Sequence, residues 1–343
     1  MGAVTIYDIA KEAKVSPATV SRVLTGSAKV KPAKERLIRE LMEKYGFQPN
    51  AMAKSLVEGR SRLIGLIAAD IRNPYYAEVC VACETAAFRR GYRVLLRNVL
   101  NNNEAEEDTL EIFAAHRVDA VIQIGSRIDD LAADPEYVRR INRLGMPFIS
   151  TGNMEGADMY TYGIDSAEGM RLAFEYLVNL GHERIALIGG ALRVRSTYEK
   201  WSKYIYMLGL NNIPLRHGYV QEGSYDFNGG VECMNRVLDL DAPPTAVITI
   251  NDYTAVGALS ALNGRGFCCP GDISVVSHDN TFLTGITTPM LTSIEYGNVA
   301  LGEGLAATAV DAIEKRDVPR ASYLTPRLVE RGSCGPCNRI HFK

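Results

Sequence analysis

Catalytic signatures are missing from this 343-residue chain. It has no GxSxG, HExxH, Walker A or GxGxxG segment. No uncharged apolar run approaches the roughly 18 residues of a membrane span, which predicts no membrane partner. The start, MGAVTIYDIAKEAK, lacks a secretory apolar region and predicts cytoplasmic residence. Seven cysteines form no disulfide framework or zinc pattern. Cys334-Gly335-Pro336-Cys337 has no second pair, and Cys80 and Cys83, three apart on a helix, read as packing residues. No metal site and no cofactor are predicted.

What is present is a charge asymmetry. The net charge is −2, but residues 1–62 hold 12 Lys+Arg against 6 Asp+Glu, leaving the remainder acidic. A small basic head on an acidic body suggests a nucleic-acid or membrane-surface contact confined to the N-terminus, or simply a solvated basic face.

The head reads as three short helices. Thr5 and Asp8 have capping-box spacing, and Ile6, Ile9, Ala10 and Ala13 recur at helical intervals. Ser16 caps and Pro17 opens a second helix, in which Val20, Val23 and Leu24 form the buried stripe and Gly26 is a natural stop. Pro32 opens a third helix, with Leu37, Ile38 and Leu41 inward. The second helix presents Pro17, Ala18, Thr19, Ser21 and Arg22, four short residues and one guanidinium able to fork onto guanine. A helix-turn-helix and a bland three-helix bundle both fit. Asn50 to Val57 is too short for an independent helix; it is a conditional helix or a plain linker.

From residue 61 continuous apolar strands alternate with helices. They are Leu63–Ala69, Tyr92–Leu96, Asp119–Ile124, Pro147–Ser150, Arg184–Ile188, Gly218–Val220, Ala246–Ile250, Ile273–Ser277 and Leu291–Ile294. Such alternation predicts parallel sheets covered on both faces, and its length predicts two lobes. Ligands of such sheets bind beyond the strands' carboxyl ends. That nominates Asp70, Arg72, Asn73, Gly125, Ser126, Asn251, Asp252, His278 and Asp279, with Tyr75 and Tyr76 able to stack on a ring.

TIYDIAKEAKVSPATVSRVLTG and YGFQPNAMAKSLVEGRSRLIGLI resemble the head and hinge of the LacI/GalR family of bacterial transcription regulators. The likeness continues through NPYYAEV, LGHERIALIGG, NDYTAVGAL, GDISVVSHDN and LTSIEY, in order along nearly the whole chain. It implies a small all-α helix-turn-helix head (1–48), a hinge (49–60) and a two-lobed α/β body of the periplasmic-binding-protein type I fold (61–343). The chain would cross three times between lobes, with Leu291–Ile294 returning to the first. It implies a homodimeric, non-enzymatic regulator, most simply a repressor, on a palindromic operator. The DNA-binding candidates are Thr5, Tyr7, Ser16, Pro17, Ala18, Thr19, Ser21 and Arg22, with Ala53 and Leu56 in the hinge, where the family's leucine wedges into the minor groove. The effector candidates are Asp70, Asn73, Tyr75, Tyr76, Ser126, Lys200, Tyr225, Asn251 and Asp279. Three positions depart from the family. Lys200 replaces an arginine, Gly152 stands where many members have an aspartate, and His278 stands where an aromatic is usual. A sugar-like small molecule carrying hydroxyls or an anionic group to suit Lys200 is the expected effector; the alternatives are a protein co-effector or a solute-binding receptor. Residues 333–343 show no leucine heptad for a coiled coil.

Overall fold

A computed structural model describes residues 4–25, 30–47 and 60–337. The chain divides into two compact units, Met1–Arg62 and Leu63–Lys343. The expected hinge contacts Ala53 and Leu56, and the stop at Gly26, lie outside the described residues.

The first unit contains α1 (Ile6–Glu12), α2 (Pro17–Thr25) and α3 (Pro32–Lys44). Thr5 and Asp8 close a complete capping box on α1, satisfying amide groups at both positions. The Ser16 hydroxyl accepts from the Thr19 amide at 3.3 Å, capping α2. Ile9, Ala10, Ala13, Val20, Val23, Ile38 and Leu41 form one small core. Lys34 donates to the Ala13 carbonyl at 3.0 Å, tying α3 to the turn between α1 and α2. Leu37, expected inward, is 36% exposed, because α3 directs Ile38 and Leu41 to the core and Leu37 to its flank.

The second unit holds two six-stranded sheets. The first-lobe run is β1 (Leu63–Ala68), α4 (Pro74–Arg89), β2 (Arg93–Asn98), α5 (Asn103–Ala115), β3 (Ala120–Ile124), α6 (Pro135–Arg143), β4 (Phe148–Ser150) and β5 (Tyr160–Ile164). The second-lobe run is α7 (Ser166–Asn179), β6 (Ile185–Ile188), α8 (Arg195–Leu210), β7 (Val220–Gln221), α9 (Phe227–Leu238), β8 (Ala246–Thr249), α10 (Asp252–Gly264), β9 (Ser274–Asp279), α11 (Leu283–Ile286) and β10 (Thr292–Glu295). Then α12 (Asn298–Ile313) and β11 (Ala321–Leu324) rejoin the first lobe, and β12 (Arg327–Val329) ends in the second. The sheet orders are β11-β5-β4-β3-β1-β2 and β12-β10-β9-β8-β6-β7. All pairings are parallel except β10 with β12.

The chain therefore passes between lobes three times, but not where Leu291–Ile294 was expected to cross. β10 pairs with β9 in the second sheet, Thr292 beside Val276, and the return is made by α12. Strand β5 is an addition to the sequence reading, and the last helix and strand, expected to be shared between the lobes without stated bounds, are α12 with β11 and β12. Apolar cores cover both faces of each sheet. Leu301, Leu305, Ala306 and Ala309 of α12 pack with Val79 and Cys83 of α4 against Ile64, Leu66 and Ile122.

Several side chains that sequence reading singled out are structural. His182 is buried, with Nδ1 2.9 Å from the Thr245 hydroxyl and Nε2 3.1 Å from the Gly335 carbonyl. The Thr245 and Ser274 hydroxyls hold the ring, and the Gly335 carbonyl ties it to the tail. Cys80 and Cys83 are buried free thiols, pushed up to about 12 and above by desolvation. The Cys334 thiol donates to the Val275 carbonyl at 3.2 Å.

Candidate functional site

On the head, Tyr7 is 70% exposed on α1, and Ala18 and Arg22 are exposed on α2. Pro17, Thr19 and Ser21 are half-buried. Thr5 spends its amide and hydroxyl on Asp8, at 2.9 and 2.6 Å, which holds the Asp8 carboxyl below the usual range. The Ser16 and Thr19 hydroxyls lie 3.0 Å apart. The sequence thus folds the opening turn of α2 with its short and polar residues on the outside.

In the body a cleft of ≈ 130 Å³ opens between the lobes. Its first-lobe wall carries Asn73, Tyr75, Tyr76, Gly125, Asp129, Gly152 and Tyr323; its second-lobe wall carries Arg195, Ser196, Glu199, Lys200, Tyr225, Asn251 and Asp279. The rule that sites follow strand ends explains part of this set. Asn73 caps α4, accepting from the Tyr75 amide at 3.1 Å, which brings Tyr75 and Tyr76 to the wall. Their rings meet edge to face, 5.1 Å between centroids. Asn251 caps α10 by accepting from the Thr254 amide at 2.8 Å, and donates to the Tyr225 carbonyl at 3.0 Å. The Tyr225 hydroxyl is in turn fixed by the Ala191 amide and the Thr197 hydroxyl, at 3.1 and 2.8 Å.

Asp279 ends β9 with φ 98°, a strained conformation for a residue with a side chain, followed by Asn280 at φ 50°. Asn298 donates to the Asp279 carbonyl at 3.1 Å, and the Asn280 amide donates to the Ser293 hydroxyl at 3.1 Å. These bonds hold the turn that presents the carboxylate to the cleft. Burial raises its pKa, opposed by Lys200. Asp252, one residue past Asn251, is committed inward. Ser277, Ser293 and Thr281 all donate to it, the last through both amide and hydroxyl.

Of the residues nominated at strand ends, Asp70, Arg72, Ser126, Asp252 and His278 do not line the cleft. Asp70 is paired with Arg72 at 2.7 Å. Ser126 turns to the buried Glu106 carboxylate. The cause is local: Gly125 and Ser126 both adopt positive φ, 74° and 66°, so the chain reverses into a 3-10 turn, Ser126–Asp129. The turn is held from within by Arg127, which is buried and pairs with Glu107 at 2.9 Å and Asp134 at 3.3 Å. Asp129, three residues beyond the nominated Ser126, is what reaches the cleft. A side chain on Gly152 would place its Cβ 2.5 Å from Asp129 Oδ1, so the glycine makes the room. Burial pushes the Asp129 carboxyl up to about 7, with Glu199 adding to the rise.

Lys200 also differs from expectation. It is 5% exposed, and its ammonium donates to the Ile250 carbonyl at 3.1 Å. Asp279, Glu199, Asp252 and Asp129 surround it, while burial lowers its pKa. It is an internally compensated charge rather than a free cation awaiting an anionic ligand. His278, behind it, gives Nδ1 to a 2.8 Å contact with the Tyr296 hydroxyl and stacks on that ring. Arg195 and Glu199, one turn apart on α8, were not nominated. Their signal was the i, i+4 spacing of Arg195 and Glu199, which puts that pair on one helix face.

Residues 5–50 match the profile described as "Bacterial regulatory proteins, lacI family", and residues 174–334 match "Periplasmic binding protein-like domain". Catabolite control protein A of Priestia megaterium is 30% identical over 329 residues, 95% of this chain and 98% of the relative. The chain belongs to the LacI family. The HTH-type transcriptional repressor PurR of Yersinia pestis (strain Pestoides F) is 33% identical over 332 residues, 96% of both chains. Among solved structures, a lac repressor dimer bound to operator and the anti-inducer ONPF superposes with a TM-score of 0.88 at 26% identity, over 97% of this chain and 100% of that one. As a LacI-family member this chain is a DNA-binding transcription regulator with an effector-binding body, and its relatives are regulators rather than enzymes. Among the described residues, no helix is long and apolar enough to cross a membrane.

Proposed function

We propose that two copies of the chain repress transcription in the cytoplasm by reading a palindromic operator. Arg22 takes a guanine edge, and Thr5, Tyr7, Ser16, Pro17, Ala18, Thr19 and Ser21 contribute backbone and groove contacts. Ala53 and Leu56 carry the hinge contact in the minor groove. A small polar effector enters the body cleft, where Tyr75, Tyr76 and Tyr225 supply ring faces and Asp279 accepts hydrogen bonds. By binding the two lobe arrangements unequally it changes operator affinity.

The observation that carries this reading is the Asp279 carboxylate. It is buried at a cleft walled by both lobes and held there by a strained turn, yet no described residue donates a hydrogen bond to it. A polar group in that state calls for a partner from outside. The test is a thermal-shift screen of sugars and related metabolites on the full chain, followed by anisotropy titration of operator with and without each hit. The reading requires at least one compound that both raises Tm and shifts operator affinity. Compounds that raise Tm and leave operator affinity unchanged would reduce the cleft to a bystander.

A further inference from the structure

When ionised, the carboxylates that line the cleft outnumber its cations. Asp129 stands on the first-lobe wall and Glu199 on the second-lobe wall, and among the described residues neither carboxylate accepts a hydrogen bond. Glu199 is the strongest charge acting on Asp129, with Arg195, Asp130 and Lys200 behind it. With Asp279, the lining carboxylates number three, against the two cations Arg195 and Lys200. Lys200 is already spent on the Ile250 carbonyl and its surrounding acids. Arg195 serves both Asp129 and Glu199 through charge, while its Nε is buried without a partner.

An anionic ligand would add to this surplus. A neutral polyol would leave it standing. A protonated amine removes it, and tyrosine faces favour a cation as well. Tyr76 lies on the same wall, with Asp129 the strongest charge acting on it. The space for the Asp129 carboxylate exists only because residue 152 has no side chain.

We propose that the effector is a compact amine-bearing polyol whose ammonium sits between Asp129 and Glu199, with hydroxyls turned to Asp279. This rests on the cleft being the effector site. An ammonium held by one carboxylate from each lobe bonds both walls at once and favours their approach. That gives the ligand the unequal affinity for two arrangements that control requires.

Glucosamine, glucose and glucose 6-phosphate, each at tens of millimolar with the full chain at neutral pH, separate the cases by thermal shift and calorimetry. Glucosamine is expected to bind about tenfold or more tighter than glucose, as a hydrogen bond to a charged group implies. Glucose 6-phosphate is expected to give no shift. Asp129→Asn and Glu199→Gln should each bring glucosamine down to the level of glucose. Gly152→Ala, which pushes Asp129 aside, should do the same, with circular dichroism checking that each variant is folded. Glucose or glucose 6-phosphate binding as tightly as glucosamine overturns the proposal and leaves the cleft as effector site. A glucosamine preference that survives Asp129→Asn and Glu199→Gln overturns the assignment to these two residues. No shift with any of the three sugars overturns the proposal, while the cleft reading stands or falls on the wider screen.

Discussion

Arg193 of the second lobe donates to Asp130 of the first at 2.9 Å. Beside that ion pair the Leu131 amide donates to the Arg193 carbonyl, also at 2.9 Å, and Asp130 and Val194 form an antiparallel bridge. The two lobes are thus fastened opposite each other by a short backbone-and-side-chain latch. It adjoins both the turn that carries Asp129 and the start of α8, which carries Arg195 and Glu199.

Because the ion pair is largely exposed on the arginine side, Arg193→Ala should cost only about 0.2–1 kcal/mol of closure. Effector affinity should weaken by no more than about fivefold, and Asp130→Ala should give no further loss in the double variant. Small-angle scattering should show more of the open arrangement. A double variant whose losses simply add would show that the ion pair does not act as a unit.

Arg22→Ala should weaken operator binding by about 1–3 kcal/mol and relax preference at one base pair, if the guanidinium forks onto guanine. Titration against single-base operator variants decides this. Equal loss on every sequence would assign Arg22 to a phosphate.

Salt should act steeply. The head region carries 12 Lys+Arg, and neutralising about 6 phosphates per complex would give a log–log slope near −5. Filter binding over a range of chloride concentrations measures it. A flat response would remove the electrostatic component assigned to the head.

The raised carboxyls make the ligand-free body sensitive to pH. Asp129 titrates at about 7 in the folded chain, against an ordinary aspartate near 4. The folded state therefore holds a proton that the unfolded state has released, and stability falls as pH rises from about 4 to about 7. Asp252, raised to about 6, acts in the same direction. Melting temperature should decline between about pH 5 and pH 8, and Asp129→Asn should flatten part of that decline. An equally steep decline in the variant would move the effect to other groups.

Asp279→Asn should abolish the effector's influence on operator binding while leaving ligand-free operator affinity unchanged. Anisotropy titrations with and without effector read both quantities. Loss of ligand-free operator binding in a folded variant would mean that the carboxylate also sets the resting lobe arrangement.

The local signals in the sequence carried far. The cap at Thr5, the breaks at Ser16-Pro17 and Pro32, and the apolar strand runs are short-range features, and each corresponds to an observed element. Pairing partners are long-range and were not readable in the same way. Leu291–Ile294 looks like a strand from composition alone, but only contact with β9 assigns it to the second sheet. Strands β11 and β12 had no readable bounds because they are short and partly exposed, without an apolar run. At the cleft, the strand-end rule pointed to Ser126 and missed Asp129, because positive φ at two successive residues reverses the chain before the acid appears. The charged run Arg127-Ile128-Asp129-Asp130 after an apolar strand was the available hint.

The threading of α12 has a consequence for biogenesis. Leu301, Leu305 and Ala309 complete the core that begins with Ile64 and Leu66, yet they are synthesised after every helix of the second lobe. A ribosome that has released residues 63–164 has therefore delivered five strands of a sheet with one apolar face covered only in part, by α4. The first lobe must wait for nearly the whole polypeptide, and during that interval its uncovered surface is the stretch most exposed to aggregation and chaperone capture.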